Sequence, residues 1–373
     1  MKFMKARFLL LLFVTLFGFA QNHSHSGVHP IKFPNIEGYL TLSTDLHIHS
    51  VFSDGNVWPT IRVQEALMDN LDAIALTEHL EYQPHLADIP HPDRNRAYQL
   101  ALEEAKDHDL LIIPGSEITR SAPVGHNNAL FLADSNPLLQ DQAQDAFDQA
   151  KKQDAFVFWN HPSWSAQKKD GNPELGDFQK KQIKQKKLHG IEVINFGAYA
   201  EESLSIALEE DLTIMATSDV HDLIEWDYAN KGLQRPVTLV FTKERSIASL
   251  KEALFEKRTV AAYNDLLIGR EEFLLPLLKA SIEIEVDGYV ADTKILKITL
   301  TNHCSSDLLL ENVSAFTFYE NSPVFNLEAG SQKTLQIKTI DRIDEVKLSF
   351  KALGAYTAPK THPTVSFTLN TEE

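Results

Sequence analysis

At 373 residues the chain exceeds one average domain, so two are expected, and 43% hydrophobic against 23% charged residues describes a chain able to bury a core, not wholesale disorder. The formal net charge is −17, and the one lysine-rich stretch, Lys180-Lys181 to Lys186-Lys187, reads as a solvated helix face, so nucleic acid is excluded as an expected partner. Cys304 is the only cysteine; no intrachain disulfide can form, and stability must come from packing, metal or both.

In chain order, Lys2, Lys5 and Arg7 precede an apolar run over 8–17 and then Gly18-Phe19-Ala20. This pattern predicts a signal peptide over 1–20, because the run is too short to span a bilayer and the small residues suit a cleavage site. The mature protein is then expected to begin near Gln21, exported to the periplasm or outside the cell, without lipid attachment or stable membrane insertion. Residues 21–38 are read as a leader, flexible as far as Pro34.

From 39 to 273 short apolar runs alternate with helical patterns, which predicts an α/β domain with a largely parallel sheet. Candidate strands fall at 39–46, 73–76, 110–114, 128–132, 155–159, 190–194, 214–217 and 237–241. Pro59 opens one helix, and helical spacing recurs over 94–106, 140–152, 201–210 and 246–256. Over 274–373 the pattern changes to short strand-like runs at 281–286, 295–301, 314–319, 334–340, 346–352 and 364–369, which predicts a small immunoglobulin-like β-sandwich. That domain is expected to supply no metal ligand.

The chemistry collects where strands stop. The first strand runs into Asp45-Leu46-His47-Ile48-His49, and two histidines one residue apart on an extended strand share a face and can reach one point. Ser53-Asp54-Gly55 follows in a turn. Later strands end in Thr77-Glu78-His79, Gly115-Ser116-Glu117, Asn160-His161-Pro162 and Ser218-Asp219-Val220-His221, while His126 stands just before its strand. A lone histidine there is ordinarily a hydrogen-bonded structural residue. Six of the fifteen, with three acids, would leave uncompensated buried polar groups unless they hold metal. Histidine with carboxylate suits zinc, manganese or iron, and the lack of cysteine ligands argues against a purely structural zinc.

In order and spacing these motifs resemble the PHP (polymerase and histidinol phosphatase) superfamily over about residues 43 to 265. The resemblance implies a distorted seven-stranded (β/α) PHP-type barrel and a trinuclear centre of divalent ions, manganese, zinc or iron, that hydrolyses phosphoesters. It assigns one ion to His47, His49, Glu117 and Asp219, a second to Glu117, His126 and His161, and a third to Asp54, His79 and His221. Glu117, Asp219 and His221 are the residues on which catalysis would rest. The sandwich, the export signal and the stretch 54–66 are most similar to the Sb-PDE branch of phosphodiesterases. Glu78 departs from the family's usual aspartate and puts the hydrogen bonding behind His79 in doubt.

The expected partner is a small-molecule phosphate ester. A metal-activated hydroxide would attack it while the ions stabilise the phosphoryl oxygens. Three divalent ions against three carboxylates would leave a local charge of about +3, able to attract an anion to an acidic protein. Arg94, Arg96, Arg120 and Arg235 are candidate phosphate clamps, Trp164 and Tyr199 candidate walls for an ester substituent, and Asn160 is read as orienting a neighbour. Hydrolysis of carboxylic or carbamic esters on the same barrel, and a non-catalytic metal-containing binding module, are the competing readings.

Overall fold

A computed structural model describes residues 30–371, so the expected signal peptide lies outside the described residues. The N-terminal domain contains strands β1 (Leu40–Ile48), β2 (Ala73–Leu76), β3 (Leu111–Ile118), β4 (Asn127–Leu130), β5 (Phe156–Trp159), β6 (Gly190–Asn195), β7 (Ala198–Tyr199), β8 (Thr213–Thr217), β9 (Val237–Thr242), β10 (Thr259–Tyr263) and β11 (Leu266–Gly269). Helix α1 (Pro59–Met68) buries Pro59, Arg62, Val63 and Ala66, the i, i+3, i+4, i+7 stripe of an amphipathic helix, with proline at its first position where a missing N–H costs nothing.

The sheet is mixed, which corrects the expectation of a largely parallel one. Its order is β19-β11-β10-β9-β1-β2-β3-β4-β5-β6-β7, with β8 parallel to β6; β19 (Ala355–Tyr356) comes from the C-terminal domain. Strands β1 to β3 are parallel, but β4 runs antiparallel to both β3 and β5. The physical reason is the connection: no helix separates β3 from β4, and only a crossover can return a chain parallel to the strand it left. Facing β9, β8 is held by side chains: Thr238 Oγ1 accepts from the Ala216 N–H at 2.9 Å and donates to its carbonyl at 2.8 Å.

The C-terminal domain has two four-stranded antiparallel sheets, ordered β12-β13-β17-β15 and β16-β14-β18-β20. Their strands are β12 (Ile282–Tyr289), β13 (Ile295–Asn302), β14 (Leu308–Asn312), β15 (Thr317–Phe318), β16 (Val324–Leu327), β17 (Gln332–Lys338), β18 (Glu345–Ala352) and β20 (Thr364–Asn370). β14 and β16 lie between the runs identified in the sequence. Alternation on β13, β16 and β18 buries every second residue, as expected where one face meets a partner sheet.

The two domains share a core. One apolar cluster runs from Ile48 and Val63 through Leu274 and Leu277 to Phe350, and β11 pairs with β19 in register Leu267↔Ala355. Gly354 is required at that junction, since a Cβ there would meet Asp265 O at 2.4 Å. Nor do residues 30–38 form a flexible leader: Ile31 and Ile36 are buried, Ile31 N donates to Asp69 O, and Lys32 exchanges hydrogen bonds with Ser305 of the sandwich. Among the described residues no helix is long and apolar enough to cross a membrane.

Candidate metal centre

His47 and His49 leave the end of β1 on one face, with Ile48 turned into the apolar core. Their Nε2 atoms lie 3.1 Å apart. Asp219 Oδ1 is 3.1 and 3.2 Å from them, and Glu117 Oε2 is 3.4 and 3.2 Å away. Glu117, fully buried at the end of β3, also has His79 Nδ1 at 3.0 Å and His126 Nδ1 at 2.6 Å. Asp54 Oδ1 faces His79 Nε2 at 3.3 Å and His221 Nε2 at 3.2 Å. All nine sequence-derived ligand candidates thus gather in one place, in four overlapping sets with ligand atoms within 4.8 Å: His49, Asp54, His79, His221; His47, His49, Asp219; His47, Glu117, His161; and His79, Glu117, His126.

The antiparallel β4 explains His126. Because β4 is reversed, its N-terminal end lies beside the C-terminal ends of β3 and β5, with Asn127 paired to Ile118 and Trp159. A residue before this strand therefore reaches the face that residues after the other strands reach.

These residues fit divalent cations. Both carboxylate oxygens of Glu117, Asp54 Oδ1 and His126 Nδ1 are buried without a hydrogen-bond partner, although His126 Nδ1 and Glu117 Oε1 are in contact. Atoms so close yet misaligned for a hydrogen bond point toward a shared position, and leaving a carboxylate buried and unpaired would cost several kcal/mol. The all-nitrogen and oxygen donor set suits manganese, iron or zinc.

The ring nitrogens that face away from the cluster are already engaged. His47 Nδ1 is 2.8 Å from Glu192 Oε1, His221 Nδ1 2.8 Å from Asp219 O, and His49 Nδ1 3.1 Å from Ser53 Oγ; His79 differs, since its Nδ1 meets both Thr119 Oγ1 at 2.6 Å and Glu117 Oε2 at 3.0 Å. In His47, His49 and His221 the contact leaves Nε2 for an ion. Burial disfavours charge here, but the facing groups outweigh it: Asp54, Asp219 and Glu117 are held well below the usual carboxylate range by neighbouring imidazoles. Likewise His47 and His221 are raised, and His79 is pushed up to about 11, by the carboxylates around them against the pull of burial. His161 is the exception, lowered by burial. A cation entering this cluster must displace the imidazole protons.

Two ligand candidates occupy left-handed backbone, His161 at φ 28° and Asp219 at φ 50°. That conformation is strained for both and persists only where surrounding contacts over-determine it. At His161 the contact is Glu192 Oε2, which accepts from the His161 N–H at 2.5 Å; at Asp219 its own N–H donates to His47 O at 2.9 Å.

Glu192 was not singled out in the sequence. It sits inside β6, buried, accepting from His47, Thr217, Asn195 and the His161 backbone. An acid in the apolar run Gly190-Ile191-Glu192-Val193-Ile194 was the available signal. Arg62 was also missed: on the buried stripe of α1, it donates to His49 O (2.8 Å), His221 O (2.8 Å) and Asp222 O (2.7 Å) and pairs with Glu65 (2.7 Å), tying together the two loops that carry His49 and His221. Glu78 reaches back to the Ser50 and Ser53 hydroxyls and the Ser50 N–H, so its longer side chain braces the turn before Asp54. Asn160 and Asn128 exchange hydrogen bonds, orienting one strand end against the next.

The other candidates divide. Trp164 lies edge-on to His126 and His161, with ring centroids at 5.6 and 5.2 Å. Arg235 is buried and paired with Asp45 (3.2 Å) and Asp69 (2.7 Å), so it is a structural ion pair and not a clamp. Arg94 donates to the carbonyls of Leu80 and His91, and Arg120 pairs with Glu81 at 2.8 Å and with Gln140 O. Arg96 is exposed at the start of the helix Arg96–Ala105. Tyr199 packs on Tyr356 of the C-terminal domain. The guanidiniums of Arg94, Arg120 and Arg235 are engaged elsewhere by backbone or acid.

A family model described as an Ig-like domain matches residues 282–368. Among solved structures, a two-domain protein from Bacteroides vulgatus containing a predicted PHP-like metal-dependent phosphoesterase is similar at 40% identity and TM-score 0.84, covering 91% of this chain and 98% of its own. A putative metal-dependent phosphoesterase from Bifidobacterium adolescentis shares 18% identity over 48% of this chain and 87% of its own, TM-score 0.37. An amidohydrolase from Chromobacterium violaceum shares 15% over 49% and 88%, also at 0.37. Those two scores are too low to bear on the site. No curated protein matches.

Proposed function

The chain belongs to the PHP superfamily of metal-dependent phosphoesterases, and from that premise we propose that it is a phosphodiesterase acting at a centre of three divalent cations. The observation that carries the proposal is the buried carboxylate of Glu117, unpartnered and within 3.4 Å of nitrogen atoms of four histidines. A carboxylate so surrounded is suited to bridging two cations, one with His47, His49 and Asp219 and one with His126 and His161; Asp54, His79 and His221 would hold the third. Bound there, divalent cations supply Lewis acidity to phosphoryl oxygens and a nucleophile at neutral pH.

The chain's own residues do the positioning. Glu192, Ser53 and the Asp219 carbonyl fix which nitrogen of His47, His49 and His221 faces inward. Arg62 holds the His49 and His221 loops together from beneath, which keeps the third set of ligands in register with the first. At the rim, His221 is the most open of the six imidazoles, with 34% of its side chain exposed, and marks the side from which an ester can approach.

Preference for a diester is supported by how the candidate clamps are engaged. Arg94, Arg120 and Arg235 bind backbone or acids, which leaves Arg96, exposed at the start of its helix, as the one of the four candidate clamps available for the second negative charge of a monoester. With the leaving group held constant, 4-nitrophenyl diesters should turn over faster than 4-nitrophenyl phosphate in the metal-loaded protein. Turnover of monoesters alone would make it an ordinary phosphatase, and carboxylic esters as the sole substrates would remove phosphoester chemistry altogether. Placement nearest the Sb-PDE branch is part of the same proposal, as is export after cleavage near Gln21, which N-terminal sequencing of the secreted or periplasmic protein checks.

A further inference from the structure

Exposed aromatic rings are distributed unevenly over the barrel domain. Among the described residues before the sandwich, the exposed ones are Trp58, Tyr82, Trp164, Phe196 and Trp226. Each follows the C-terminal end of a strand, respectively β1, β2, β5, β6 and β8. Four of those strands end at His47 and His49, His79, His161, and Asp219 with His221, and β6 carries the Glu192 brace. The segments at the opposite end of the barrel, such as 69–72, 153–155, 185–189 and 210–212, carry no exposed aromatic residue. Large rings left in water are costly, and a set of them confined to one face marks a surface that binds something apolar.

Two of the rings touch the metal centre itself. Trp164 is 48% exposed and stands roughly perpendicular to the imidazoles of His126 and His161, at interplanar angles of 67° and 83°. Tyr82, 52% exposed, lies 5.9 Å from His79. His79 and His126 are themselves 5.5 Å apart, so the two rings stand at either end of a row of ligand side chains. The backbone of Trp164 is held in a turn: its main-chain N–H donates to His161 O at 2.9 Å, and its carbonyl accepts from the main-chain N–H groups of Gln167 and Lys168 at 2.8 and 2.9 Å. When a phosphoryl group sits at the ions, a substituent directed past His126 and His161 runs alongside Trp164.

We propose that the aromatic rim selects phosphodiesters whose retained substituent is an unsaturated ring, an aryl or nucleobase-like group, with Trp164 as its stacking platform. This inference rests on the phosphodiesterase reading and adds the class of substituent. A planar ring gains offset or edge-to-face contact with Trp164 that a small alkyl group cannot make, and such contacts amount to about 5- to 10-fold in an equilibrium or rate.

The experiment uses the full metal-loaded protein and two diesters with the same leaving group, phenyl 4-nitrophenyl phosphate and methyl 4-nitrophenyl phosphate. The ratio of their kcat/KM values should fall by about 5- to 10-fold in Trp164→Ala and be largely restored in Trp164→Phe. In parallel, diphenyl phosphate should quench tryptophan fluorescence of the wild-type protein more strongly than dimethyl phosphate does, and the difference should shrink in Trp164→Ala. An unchanged ratio across the three proteins, with equal quenching by the two phosphates, would overturn the proposal. If neither diester is cleaved the phosphodiesterase reading falls, while the quenching titration, which needs no turnover, still decides whether the rim binds rings.

Discussion

Histidines stand at both ends of the N-terminal domain's strands, half-buried at one end and mostly buried at the other, with opposite results. At the N-terminal end His189 lies between Phe156 and Phe255, at ring centroid distances of 5.6 and 4.8 Å. Its Nδ1 accepts from the Val157 N–H at 3.0 Å and its Nε2 donates to Lys186 O at 3.1 Å, which leaves it neutral and complete. Burial pushes it down to about 4. At the C-terminal end six imidazoles face three carboxylates, buried atoms lack partners, and the backbone is strained at His161 and Asp219. The difference teaches that a buried histidine becomes a ligand candidate through what it faces. Packing between aromatic rings, with both ring nitrogens satisfied by backbone, yields a structural residue.

The sharpest way to break this comparison is to remove the carboxylate at the centre of one end. Glu117→Gln keeps the shape, but its amide nitrogen offers no lone pair, so the first and second ions should be lost together and turnover should fall on the order of 10²-fold or more. His221→Ala should deplete chiefly the third ion. Elemental analysis of both folded variants, with circular dichroism as the folding control, separates the two patterns. A folded Glu117→Gln protein with full metal content and near-normal activity would refute the bridging role.

Glu192→Gln probes the support behind the ligands. Its carboxylate accepts from four donors, whereas an amide turns an N–H toward at least one of them. Metal affinity should drop about 10- to 100-fold, the range for partners behind a ligand. Competition with a chelator measures it, and unchanged affinity would reduce Glu192 to a packing residue.

At the other end, the prediction is a pH slope. The folded His189 titrates near 4, below the 6.5 of a free histidine. Below 6.5 the unfolded chain therefore binds a proton that the folded one refuses, so this contribution is complete above 6.5 and is lost as pH falls toward 4. Between pH 7 and 5 it amounts to at most about 2 kcal/mol. His189→Leu should be less stable at pH 7 yet lose less stability on acidification, as followed by denaturant titration at both pH values. Parallel slopes in the two proteins would show that His189 does not carry the effect.

The sequence by itself determined the two-domain division, the amphipathic and alternating segments, and the ligand candidates, because strand ends announce themselves where an apolar run stops at His, Asp or Glu. The spacing in His47-Ile48-His49 even gave the shared face, since side-chain direction along a strand has period two. What only the tertiary structure decided are relations between distant segments. Strand direction was one: β4 is reversed by a connection with no crossover helix, which is why His126 precedes its strand and still joins the others. Partnership was the other, for Arg235 carries the same charge as any clamp until Asp45 and Asp69 are brought against it. Arg62 and Glu192 lay inside apolar patterns, where a charged residue makes sense only once its partners, 145 to 160 positions away in several cases, have folded onto it. Local periodicity records which way a side chain points, and long-range pairing records what it meets.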